Sequence, residues 1–161
     1  MKRTFICFIM TDFEIREILV SKYKYMNLLL IGDEQEDMID RYLDYGRLFI
    51  GFINETPVSC CAITEEDYTT IEIKNLAVIS EYRRQGIGRR MLDHVESIYQ
   101  GKTLQLGTGE TPSTLRFYKN CGYVFSHTIP GFFTNNYDHP IIEEGVTLND
   151  MIYLKKKILK N

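Results

Sequence analysis

The residues of this chain best suited to chemistry stand together at Arg83-Arg84-Gln85-Gly86-Ile87-Gly88-Arg89-Arg90. They lie between a β-branched run that ends at Ile79 and a stretch whose apolar positions, Ile87, Met91, Leu92, Val95, Ile98 and Tyr99, follow the helical period. A strand-to-helix turn points several unpaired backbone N–H groups and the positive end of the helix dipole at one place, and that place suits an anion. Glycines at 86 and 88 let the backbone come close to a ligand, and the arginines are able to clamp phosphate oxygens. Two nucleotide motifs fail on residue type. A P-loop needs a lysine and a hydroxyl residue after its last glycine, where Arg89 and Arg90 stand, and a dinucleotide fingerprint needs a third glycine, where Met91 stands. Taken alone, the stretch equally fits a basic helix start softened by glycine, with no ligand.

The elements that must position this turn are readable in outline. Lys2–Met10 reads as a strand, and Thr11-Asp12 offers an N-cap for an amphipathic helix through Phe13, Ile15, Ile18 and Leu19. A second helix is expected near residues 35–45, on Met38, Ile39, Tyr42 and Leu43, ending at Gly46. Leu48–Ile53 and Val58–Thr64 form a hairpin across Asn54-Glu55-Thr56-Pro57, and Thr69–Ile79 is a third, longer strand. The helix opened by the glycine turn closes at Gly101, and Leu104 and Leu106 mark the next strand. Thr111-Pro112 starts a short helix that runs to Gly122, Tyr123–Ile129 is a strand, and Met151–Ile158 is the last one. Residues 130–150 are a long connection, of the kind that is usually functional or mobile. The order is β-α-α-β-β-β-α-β-α-β-β, an α+β layout in one domain spanning residues 1–161.

Composition narrows the function classes. The chain has 161 residues, 44% hydrophobic and 25% charged, which is the balance of a folded core rather than a disordered or coiled-coil chain. Its 19 basic against 22 acidic residues give a net charge of −3, a field that repels a phosphate polymer, so nucleic acid is not an expected partner. No apolar run approaches the ~20 residues needed to span hydrocarbon and no signal-peptide pattern opens the chain, so no membrane partner is expected and the cytoplasm is the expected location. Cys7, Cys60, Cys61 and Cys121 are not spaced as metal ligands and read as reduced thiols, with no metal expected.

Three segments together resemble the N-acetyltransferases of the GNAT superfamily. Arg83, Gly86 and Gly88 match that family's pyrophosphate-binding turn; Glu72-Ile73-Lys74-Asn75-Leu76-Ala77-Val78 is similar to its fourth strand; Leu115-Arg116-Phe117-Tyr118-Lys119-Asn120-Cys121-Gly122-Tyr123 is similar to its helix-to-strand segment. The resemblance implies a mixed, mostly antiparallel central sheet of about seven strands flanked by helices. It also implies acetyl-CoA as donor, bound by Leu76, Ala77, Val78, Arg83, Arg84, Gln85, Gly86, Ile87, Gly88 and Arg89. Two departures stand out: Ser80 replaces the proline common before the tyrosine-arginine pair, and Thr111 replaces an asparagine, so that Thr111 or Ser113 would bond the pantetheine arm instead.

Acetyl transfer to an amine needs a neutral nucleophile, a donor for the oxyanion and an acid for the leaving thiolate. By resemblance, the Leu76 N–H faces the thioester oxygen and Tyr118, protonated at neutral pH, is the acid. Glu72 is the candidate base, yet it lies four residues before Leu76, about 13 Å along a straight strand, so a bulge or a water relay must bring it in. The same carboxylate also fits a solvated place on a half-exposed strand. A covalent route through Cys121, one turn from Tyr118, competes with plain burial of that thiol.

The resemblance implies that residues 33–44, with six acids, and 138–150, with four, flank the acceptor cleft, where they suit a cationic amine, either a small molecule or a peptide, attacking directly in a ternary complex; the first cluster equally fits a merely solubilising role. Tyr137, Asp138 and His139, in the long connection, are the expected acceptor-binding residues. A non-catalytic acetyl-CoA-binding sensor is the competing reading, and a homodimer is compatible with the edge strands.

Overall fold

The computed structural model describes residues 12–161. The strand expected over Lys2–Met10, together with Cys7 and Thr11, lies outside the described residues. The described chain is built on a seven-stranded mixed sheet in the order β1-β2-β3-β4-β5-β9-β6, with helices on both faces. Every pairing is antiparallel except β4 with β5.

The first helix is not where the sequence pattern puts it. Phe13–Ile18 is strand β1, paired along its whole length with β2, Arg47–Ile53. Phe13 and Ile15, two apart on one face, pack on one core layer, and Ile18, on the opposite face, packs on the other. Cross-strand ion pairs, Glu17 with Arg47 and Arg16 with Glu55, hold the register. The first helix, α1, is Met26–Gly32, the apolar stretch just downstream, and α2 is Glu36–Leu43. Lys22 donates from Nζ to the carbonyls of Leu43, Asp44 and Gly46, satisfying orphan acceptors at the end of α2.

β2 turns into β3, Thr56–Glu65, through Asn54 and Glu55, both at positive φ, the geometry whose twist matches a two-residue hairpin. β4 is Thr70–Val78, α3 is Ile87–Ile98, β5 is Thr103–Thr108, α4 is Pro112–Asn120 and β6 is Val124–Ile129. The long connection carries structure of its own, a short helix α5, Phe132–Asn136, and a small hairpin of β7, Ile142–Glu143, and β8, Val146–Thr147, before β9, Met151–Lys157. Phe133, Ile141 and Leu148 give this segment a small core.

One apolar layer, including Ile71, Ile73, Met91, Leu92 and Tyr123, lies between the sheet and helices α3 and α4; a second, including Leu29, Ile39, Leu43 and Ile50, lies under α1 and α2. No helix among the described residues is long and apolar enough to cross a membrane. Cys60, Cys61 and Cys121 are free and buried.

Two irregularities of β4 make the site. β4 pairs with β5 only over residues 70–73, after which β4 stays with β3 and β5 with β9, so the strands splay. Between Ala62 and Ile63 the β3–β4 register slips from Asn75 to Ile73, leaving Lys74 as the extra residue of a bulge.

Candidate active site

The splay opens a cleft of about 890 Å³. Its wall takes in the backbone of Leu76, Ala77 and Val78 on β4, Gly107 and Thr108 on β5, the turn before α3, and Tyr118 on α4.

At the turn, Gly86 caps α3 in the left-handed region, φ +81°, and a Cβ built on it meets nothing within 4 Å. The face of the turn is therefore open, and glycine is there for its backbone conformation. Gly88 serves a different end, since a Cβ there would sit 3.1 Å from the Phe117 ring; its bare backbone lets α3 pack on α4. Arg83 donates from Nε to the Val78 carbonyl at 3.0 Å, tying the turn to the end of β4, and Arg89 donates to the Asn120 carbonyl at 3.2 Å. Arg83, Arg84, Gly86, Ile87, Gly88 and Arg89 all line the cleft, whereas Gln85 points along the turn to the Glu81 carbonyl.

Tyr118 is buried, with its ring edge-on to Phe117 and Tyr123. Burial pushes its phenol well above the ordinary tyrosine value, so the hydroxyl is held protonated where Tyr118 lines the cleft. Cys121 behind it is buried too, and burial raises its thiol, which removes thiolate character from the covalent route. Thr111 and Ser113 line the cleft, but their hydroxyls donate to Glu143 (2.9 Å) and Glu144 of the small hairpin.

Glu72 stands behind the wall rather than on it. It is buried, and its carboxylate accepts from Lys74 Nζ at 2.8 Å, Tyr153 OH at 2.9 Å and Gln105 Nε2 at 2.8 Å. Lys74, the bulge residue, does line the cleft. Spacing on β4 would have found the Glu72–Lys74 pair, two residues apart on one strand; nothing local marks Tyr153 or Gln105, which arrive from β9 and β5.

Tyr137, Asp138 and His139 gather at the α1–α2 connection, outside the cleft wall. Tyr137 donates to Asp33 at 2.7 Å, the Asp138 N–H donates to Gln35 at 3.0 Å, and His139 contacts Asp138 at 2.5 Å with Glu34 at 3.8 Å. Desolvation raises the Asp33 carboxyl against the bond from Tyr137. Of this group, Glu34 reaches the cleft. Asn75, next to the bulge, donates to the Leu29 carbonyl at 2.8 Å and to Tyr42 OH at 3.0 Å, fixing α1 on β4.

The cleft is polarised along α4. Arg89 is bonded at the C-terminal end of this helix and Glu143 and Glu144 at its N-terminal end, about 10–13 Å apart at the helical rise. One end therefore suits a polyanion and the other a cation, with the protonated phenol of Tyr118 on the helix between them.

Comparisons with known proteins identify the fold. A family model described as the acetyltransferase (GNAT) domain matches residues 44–125. The chain is 29% identical over 132 residues to an uncharacterized N-acetyltransferase, YvbK, of Bacillus subtilis strain 168, a match covering 80% of this chain and 85% of that one. Its structure is similar to a GNAT family acetyltransferase from Elizabethkingia anophelis with acetyl-CoA bound, with TM-score 0.84 and 30% identity over 92% of this chain and 99% of the other. It is also similar to a Bacillus subtilis acetyltransferase in complex with CoA, with TM-score 0.81 and 26% identity over 92% of this chain and all of the other.

Proposed function

Because the chain belongs to the GNAT acetyltransferase family, and so is an N-acetyltransferase with acetyl-CoA as donor, we propose that residues 1–161 act as one domain that acetylates a primary amine of a small cationic molecule or a peptide. The amine attacks the thioester directly, with both substrates bound. The observation that carries this reading is the charge partition of a single cleft along α4, with Arg89 at the C-terminal end of the helix and Glu143 and Glu144 at its N-terminal end.

In this reading the open turn at Gly86 and the α3 N-terminus hold the diphosphate, and the splayed edge of β4 from Leu76 to Val78 bonds the pantetheine arm. Leu76 N–H stabilises the oxyanion as the amine adds, and Tyr118 protonates the departing thiolate. Glu72 receives the proton of the amine through a water at the bulge. Glu34, Glu143 and Glu144 hold the rest of the acceptor's positive charge. Thr111 and Ser113 act first as anchors of the hairpin that presents those acids, and Tyr137, Asp138 and His139 brace the opposite bank, on which Glu34 stands.

The test pairs thermal shift with acetyl-CoA, CoA and ATP with a thiol-release assay over amines of differing charge. The expected result is a shift with acetyl-CoA and CoA only, and faster release with dicationic amines than with zwitterionic or acidic ones. Release that ignores acceptor charge overturns the acceptor assignment, and a shift without release from any amine leaves a binding module.

A further inference from the structure

The acceptor half of the cleft already holds an amine. Among the described residues lining it, Lys74 is the only lysine; it is the extra residue of the β4 bulge, and it stands two positions before Leu76. Its side chain keeps 26% exposure, and its Nζ lies 2.8 Å from Glu72 Oε1. An ordinary surface ion pair would point both partners at bulk water. Here the carboxylate is buried while the lysine lines the cleft, so its ammonium stands at the cleft wall with a proton acceptor already at hydrogen-bond distance.

We propose that Lys74 is a site of self-acetylation, modified within the same molecule by acetyl-CoA bound in this cleft. The inference rests on the donor and oxyanion reading above. The Lys74 ammonium passes a proton to Glu72, and the neutral Nζ adds to the thioester carbonyl. Glu72 hands that proton to solvent and takes the second proton from the adduct nitrogen; the C–S bond breaks as the amide carbonyl re-forms, and the thiolate leaves with the proton of Tyr118, which solvent replaces. The products are Nε-acetyl-Lys74 and CoA. Tethering the nucleophile beside the donor makes the step unimolecular, an advantage that exposed lysines lack. The product has lost its charge, so Glu72 loses its cation and is freed to face the ammonium of an external acceptor. Lys74 therefore acts as a stand-in for that acceptor, and a good acceptor protects it.

The test incubates the full chain with isotope-labelled acetyl-CoA and no amine, then maps acetylated peptides, with thermal shift as the check of donor binding. Label at Lys74 is expected to exceed that at exposed Lys24, Lys119 and Lys160 about tenfold or more, to accrue at a rate independent of protein concentration, and to vanish in Gly86→Glu while the exposed lysines keep their chemical background. Lys74→Arg keeps the ion pair and is expected to show no label at that position. A clear shift with acetyl-CoA but no preferential label at Lys74, or label undiminished in Gly86→Glu, overturns the inference alone. Absence of any shift overturns the donor reading and the inference with it.

Discussion

The two ends of the cleft are built on opposite plans. The donor end comes from nearly contiguous chain, residues 76–89, folded as strand, turn and helix, with one long-range brace from Arg89 to Asn120. The acceptor end is assembled from Glu34 after α1, Lys74 on the bulge, and Glu143 and Glu144 on the small hairpin, more than 100 residues apart in sequence at the extremes. A contiguous device tolerates change elsewhere in the fold, while a dispersed one depends on tertiary struts such as the Tyr137–Asp33 bond. Under the proposed function, the first end serves every reaction of this chain and the second selects the acceptor.

Changes confined to each end should break different measurements. The largest effect is expected from Gly86→Glu, which sets a carboxylate on the open face of the turn. Like charges about 4 Å apart at an effective dielectric near 20 cost about 4 kcal/mol, so acetyl-CoA affinity by calorimetry should fall about 10³-fold with folding retained. Tyr118→Phe should lower kcat about 10²-fold and leave acetyl-CoA affinity unchanged, which separates proton donation from binding. The paired change Glu143→Gln and Glu144→Gln should act at the other end alone, raising KM for a dicationic acceptor about tenfold while acetyl-CoA affinity holds; loss of donor affinity in that variant would erase the distinction between the two ends.

The smallest effect concerns His139. Its hydrogen bond with Asp138 holds its imidazolium above the ordinary histidine value of 6.5, with Glu34 adding to it. A group whose folded-state value is raised stabilises fully below 6.5 and loses that contribution as pH rises through the raised value. His139→Asn should flatten this slope in unfolding free energy measured from pH 6.5 upward.

The same contrast explains what could be read from the sequence. The turn, the helix after it and the 112–122 helix were legible because glycine, proline and apolar spacing encode them locally. β1 was misread because Phe13, Ile15, Ile18 and Leu19 fit a helical stripe nearly as well as a strand, and the decision rests with β2, more than thirty residues on. α1 was passed over because Met26–Ile31 is apolar on almost every side, which blurs its period. The need for a bulge or a water relay between Glu72 and Leu76 follows from strand arithmetic, but the presence of a bulge and its position at Lys74 depend on the register with β3. The bonds of Glu72 with Tyr153 and Gln105 join three strands and leave no local trace.

The seat of Gly32 has a mechanical consequence. A methyl group at this position would lie 2.2 Å from the Asn75 side-chain oxygen, so the end of α1 is wedged against the strand that carries the bulge. That bank cannot hinge without uncoupling Asn75 from Leu29 and Tyr42, so any opening of the cleft on this side costs both hydrogen bonds together with the packing of the helix end.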